Sequence, residues 1–87
     1  MLVQVTKEDI AAGVRGNSTT CAVAHSLTRM GYTYVFVSGI TVEVAKGADQ
    51  LHVYLLPEEA TTFVVKFDRG DEVKPLTFIM KYVRAVC

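Results

Sequence analysis

The chain has no net charge: nine Lys and Arg residues balance nine Asp and Glu residues over 87 positions. A neutral domain has no bulk field to steer it toward nucleic acid or an anionic membrane, so partners chosen by charge alone are not expected. Only two cysteines occur, Cys21 and Cys87. Two are too few for a disulfide framework, and the N-terminus shows neither the n-region nor the h-region of a secretory signal. A reducing cytosol is the expected compartment. No apolar run approaches the roughly 20 residues needed to span a bilayer, and a soluble protein is expected. Repeats, low-complexity tracts and linkers are also missing. The length suits a single domain, 1–87, with one small core.

What is present is a high apolar fraction, 51%, arranged in recognisable periods. Leu2 to Val5 fits a short strand. Thr6 offers an N-cap hydroxyl, Glu8 and Asp9 follow where the helix dipole favours acids, and Gly13 stops a helix that ends at Ala12. Gly16 and Asn17 mark a turn, after which Ser18 or Thr19 is placed to cap a helix running to Met30, with Gly31 as its stop. The stretch "YTYVFVSGITVEV" is dense in β-branched and aromatic residues and reads as two strands or one strongly bent strand. Lys46 to Gln50 is a turn. In "LHVYLL" the residues Leu51, Val53 and Leu55 share one face and His52 and Tyr54 the other.

The clearest helix follows. Pro57 suits its first position, Glu58 and Glu59 fill its first turn, and Gly70 ends it after Arg69. Ala60, Phe63, Val64 and Phe67 form the i, i+3, i+4, i+7 set that lies on a sheet. The final segment "PLTFIMKYVRAV" alternates around Leu76, Phe78, Met80 and Tyr82 as a last strand. The order β–α–α–β–β–β–α–β predicts an α+β domain, with a mostly antiparallel sheet of three to five strands and two main helices on one face. Whether Ser38–Gly39 is a hairpin turn or a bulge decides the strand count.

Three segments, "VTKEDIAAG", "CAVAHSL" and "LPEEATTFVVKFDRGDEVKPLTF", together resemble a family of small uncharacterised proteins found mostly in bacteriophages and actinobacteria. Its members read as V-T-x-E-x-I-x-x-G, then C-P-V-A-x-A-L, then a proline-started helix leading into F-D-x-G-x-x-V-x-P-x-x-F. The resemblance covers both ends of the chain and leaves the middle strands unmatched. It implies a phage or mobile-element origin and brings no assigned activity. Cys21 falls on the family cysteine, Ala22 replaces its usual proline, and His25 stands where an apolar residue is typical. Some members carry another cysteine where this chain has Ser18, so two-cysteine metal or redox chemistry is not implied here.

Cys21 and His25 lie four residues apart on the predicted second helix, on the side opposite Val23, Leu27 and Met30. A histidine at i+4 can activate a thiol as a nucleophile, but no third residue is identifiable to orient that histidine. Packing of a small cysteine beside a half-exposed histidine is the ordinary alternative. The same pair could share a zinc ion, yet a structural site needs about four ligands. His52 and Cys87 are the remaining candidates and are isolated, so no metal and no cofactor is expected. Glu58 and Glu59 are explained by the helix terminus. Asp68, Asp71 and Glu72 read as a solvated helix end, with cation binding or mimicry of a phosphate-rich surface as the alternative.

The C-terminal segment is locally basic, with Lys74, Lys81 and Arg84 and no acid after Glu72. With Tyr82 and Phe78 it could contact single-stranded nucleic acid, although protection of an edge strand explains the same cations. The aromatics of the middle strands carry more. Tyr32, Tyr34 and Phe36, joined by His52 or Tyr54 if the faces align, would form an aromatic patch on the sheet face that the helices leave open. The alternative is that Tyr34 and Phe36 are core.

These residues predict a small non-catalytic protein-binding module, which the resemblance implies is a phage-encoded accessory protein that engages or inhibits a host or phage protein, such as a defence or transcription component. Its binding residues are Tyr32, Tyr34, Phe36, His52 and Tyr54. The apolar excess over what one small core absorbs makes a homodimer or partner surface expected. Two alternatives stand beside it: a thiol-dependent enzyme or redox sensor using Cys21 and His25, and a nucleic-acid-binding module using the basic C-terminal strand.

Overall fold

A computed structural model describes residues 1–86, so Cys87 lies outside the described residues. Thr6 opens helix α1 (Lys7–Ala12) through a reciprocal capping box: its hydroxyl accepts from the Asp9 N–H, and the Asp9 carboxylate accepts from the Thr6 N–H. Two orphan amides of the helix end are satisfied in this way. Strand β1 (Leu2–Val5) precedes it, and the chain turns at Gly13. A Cβ at Gly13 would lie 2.6 Å from the Ala22 nitrogen and 2.9 Å from Phe67, so glycine is required there by close approach.

Helix α2 (Ala22–Arg29) begins later than its sequence suggests. Its N-cap is Cys21, and neither Ser18 nor Thr19 caps it. The reason is Asn17, which organises the preceding turn: its side chain accepts from the Thr19 N–H and hydroxyl, and its carbonyl accepts from Cys21. Met30 is the C-cap and is 40% exposed, so it does not join Val23 and Leu27 in the core. Gly31, at φ +104°, makes the left-handed exit.

Strands β2 (Tyr34–Val37) and β3 (Thr41–Ala45) form a hairpin over Gly39 and Ile40. Ser38 donates its N–H to the Thr41 carbonyl, and its Oγ accepts from the Thr41 N–H at 2.9 Å. Ser38–Gly39 is therefore a hairpin turn and not a bulge. Strand β4 (Leu51–Leu55) pairs with β3, and helix α3 (Glu58–Arg69) follows with Pro57 as N-cap and Gly70 in the left-handed region. The final segment divides at Met80 into β5 (Leu76–Ile79) and β6 (Lys81–Val86). β5 pairs with β1, whereas β6 pairs with β4. Met80 is held at this junction by both its N–H and its carbonyl, which bond the backbone carbonyl and the ammonium of Met1.

The architecture is α+β in the predicted order, with two antiparallel sheets: β1–β5, and a four-stranded sheet in the order β2–β3–β4–β6. One hydrophobic cluster unites them. Val3, Val5, Phe78 and Met80 come from the β1–β5 region, Val35, Val37, Val42 and Val44 from the large sheet, and Val23, Leu27, Phe63, Val64 and Phe67 from the helices. Ala60, Phe63, Val64 and Phe67 are the buried stripe of α3, as their spacing predicts. Each fully buried side chain of this size contributes about 1.5–3 kcal/mol. Among the described residues no helix is long and apolar enough to cross a membrane.

Candidate functional sites on the two faces of the sheet

Register fixes which side chains the large sheet offers to a partner. Val35 and Val37 of β2 stand opposite Val44 and Val42 of β3, and all four belong to the core. Side chains alternate along a strand, so Tyr34 and Phe36 point to the other face. There they meet Ala45 and Glu43, and Glu43 in turn faces Val53, which faces Arg84 of β6. A second row runs Thr41, Leu55, Lys81. Val53 and Ala45 are buried yet stand outside the core cluster. Tyr34, Phe36 and Leu55 are each 40% exposed. Large apolar groups on a sheet face without a helical cover are the material of interfaces.

His52 and Tyr54 belong to the opposite face. They pair with Val44 and Val42 and lie toward the helices, so they do not extend the Tyr34–Phe36 patch. The five aromatic positions singled out in the sequence thus form two sites. Alternation in β4 is as predicted, but its more apolar side, Leu51, Val53 and Leu55, is the open one. Sequence periodicity gives the parity of a strand and not which parity is roofed.

The second site is a recess of about 310 Å³ lined by Tyr32, Lys46, Asp49, His52, Tyr54 and Tyr82. Tyr54 and Tyr82 meet edge to face, with centroids 5.3 Å apart and planes at 72°. His52 lies 5.8 Å from the Tyr82 ring, and its Nδ1 is 3.2 Å from the Tyr82 hydroxyl. The Lys46 ammonium stands 4.8 Å above the centre of the Tyr32 ring. Burial, with Tyr54 nearby, pushes the Tyr32 phenol up from its ordinary value. Tyr82 is not part of the predicted patch, because the bulge in the β4–β6 pairing, which places it beside Tyr54, has no local sequence signal.

Cys21 and His25 part company. Cys21 is 4% exposed and belongs to the core, with His25 half-exposed beside it, which is the packing alternative. Burial pushes its thiol up, against the N–H groups of Val23 and Ala24, which act to lower it. A nucleophilic cysteine needs the opposite balance. His25 instead turns to α1, where its Nδ1 lies 2.6 Å from Asp9 Oδ1. A carboxylate only accepts, so the imidazole donates from Nδ1. Arg29, one turn further along α2, donates Nε and Nη2 to the two oxygens of the same carboxylate and reaches the Gln4 carbonyl.

Asp9 is the orienting residue that the sequence did not reveal. It is fully buried and accepts from Thr6, His25 and Arg29. Burial alone would raise its carboxyl, but the hydrogen bonds from Arg29, Thr6 and His25 outweigh that and hold it well below the usual carboxylate range. The available signals were the T-x-x-D spacing of Thr6 and Asp9, and His25 and Arg29 at i, i+4 on one helix stripe. This ion cluster ties α1 and α2 to β1.

The other sequence candidates stand apart. Cys21 and His52 line different recesses, and Cys87 lies outside the described residues. No group of three or more His, Cys, Asp or Glu side chains is placed to hold a metal among the described residues. Asp68 accepts the Gly16 N–H, and Asp71 forms an exposed pair with Arg69. Phe78 is core and does not join Tyr82 in a basic aromatic strand. Lys81 and Arg84 lie on the open face in line with Leu55 and Val53. The chain matches no protein-family model, no curated protein and no solved structure.

Proposed function

We propose that the chain is a non-catalytic protein-binding module that uses the open face of its four-stranded sheet, with Tyr34, Phe36 and Leu55 as anchors. The carrying observation is their 40% exposure on a face that no helix covers. In projection, four strands about 4.8 Å apart and five residues at about 3.3 Å cover roughly 300 Å². A standard interface takes about 800 Å² from each partner, so the partner also covers an edge strand. β6 suits this role, since all six of its residues are exposed. The partner is a second copy or another protein. The resemblance to phage and actinobacterial proteins favours an accessory protein acting on a host or phage component in the host cytoplasm.

Affinity capture from host cells, with wild type and a Tyr34→Ser, Phe36→Ser double variant as baits and light scattering on both, tests the reading. Specific capture or a dimer that the double variant loses is expected. A monomer that captures nothing contradicts it. A second reading, single-stranded nucleic acid on the same face, draws on Arg84 and Lys81 beside these aromatics, with Glu43 in the middle of the row opposing it. Low-salt filter binding to single strands, absent in a Lys81→Ala, Arg84→Ala variant, would favour it.

A further inference from the structure

The recess under the other face of the sheet has a chemistry of its own. Tyr54 and Tyr82 stand at 72° to each other and so form two walls of a corner. His52 extends the Tyr82 side, Tyr32 supplies another wall, and the Asp49 carboxylate lies at the rim. Inclined electron-rich faces surround a rounded cation on more than one side. An anion would meet Asp49 and the negative faces of three phenol rings, against one lysine.

The protein already seats a cation here. Lys46 places its ammonium over Tyr32 and forms no ion pair among the described residues. It lies at the end of β3, exposed, just before the Gly47 turn. A primary ammonium in that position remains hydrated and is held weakly. A fully methylated ammonium has no N–H to offer water, and ring faces compete for it more successfully.

We propose that this recess binds a quaternary ammonium group, which displaces Lys46 from Tyr32 and packs its methyl groups against Tyr32, Tyr54 and Tyr82. The group comes either from a small choline-type molecule or from a trimethylated lysine side chain. The site does not depend on the open-face interface, because it lies on the opposite side of the sheet.

The test titrates the full chain with choline, a short trimethyl-lysine peptide, the same peptide unmodified, and 3,3-dimethylbutanol, the uncharged isostere of choline. Nuclear magnetic resonance shifts of the tyrosine rings give site and affinity. A methylated probe is expected to shift Tyr32, Tyr54 and Tyr82 and to bind at least tenfold more tightly than the isostere. The tighter of choline and the methylated peptide identifies the source. Lys46→Ala removes the internal competitor and tightens binding about two- to fivefold. Tyr82→Val, on an exposed strand that tolerates β-branched residues, weakens it. Equal binding of the isostere, shifts located elsewhere, or no binding to either wild type or Lys46→Ala overturns the proposal.

Discussion

Asp9→Asn preserves volume at a fully buried position but removes the charge that five hydrogen bonds converge on. The new NH₂ group faces donors from Thr6, His25 or Arg29, whichever oxygen it replaces. Removing one partner of a buried ion pair costs about 3–5 kcal/mol. The His25 and Arg29 side chains are 41% and 48% exposed and can rehydrate, so the loss falls near the lower bound, about 3 kcal/mol. For a domain of this size each 1 kcal/mol moves Tm by about 4–8 °C, and the expected drop is roughly 12–24 °C. Urea and thermal unfolding of both proteins at pH 7 measure it.

The acid limb gives an independent check. The Asp9 carboxyl is depressed in the folded state, so its contribution is complete above the unfolded value of about 3.9 and is lost as pH falls below it. The gap between wild type and Asp9→Asn therefore narrows as pH falls below about pH 4. A gap under about 1 kcal/mol at pH 7, or one that does not narrow in acid, refutes the assignment of a stabilising buried carboxylate.

Three further outcomes follow from the packing. Gly13→Ala drives a Cβ into the Ala22 backbone and is expected to cost about 1–3 kcal/mol or more, whereas Gly39→Ala, with nothing within 4 Å, stays within about 0.5 kcal/mol in the same urea assay. Leu27→Ala removes a fully buried side chain from α2 and loses about 2–5 kcal/mol by equilibrium unfolding. Cys21 alkylates more slowly than a free cysteine at pH 7, and peptide mapping by mass spectrometry separates it from Cys87; a faster rate would restore the thiol-chemistry reading.

Most local signals in this chain are dependable, the Ser18 or Thr19 cap of α2 excepted, and long-range ones are not. The Thr6 cap, the Gly31 and Gly70 exits and the α3 stripe were all legible, because each depends on residues within a few positions of one another. A helical wheel sets Cys21 off the Val23–Leu27 side of α2 but does not show that α3 and the 16–18 turn lie over it. The Asp9–His25 contact spans 16 residues and joins two short helices, so the i, i+4 spacing of His25 and Arg29 does not by itself name Asp9 as their partner. The division of the last strand at Met80 sends two halves of one alternating pattern to two sheets, a decision made by pairing with β1 and β4. For the same reason the predicted aromatic patch separated: strand parity was right, and the side that the helices roof was set by the tertiary fold.

The measurement closest to the central proposal is a backbone amide protection map of the protein in its captured complex or dimer, compared with the free chain. New protection is expected on β2 and β6, with ring-shift changes at Tyr34 and Phe36, and the Tyr34→Ser, Phe36→Ser variant loses both while unfolding at wild-type denaturant concentration. Protection confined to the helical side, or an interaction that survives the double substitution, would contradict it.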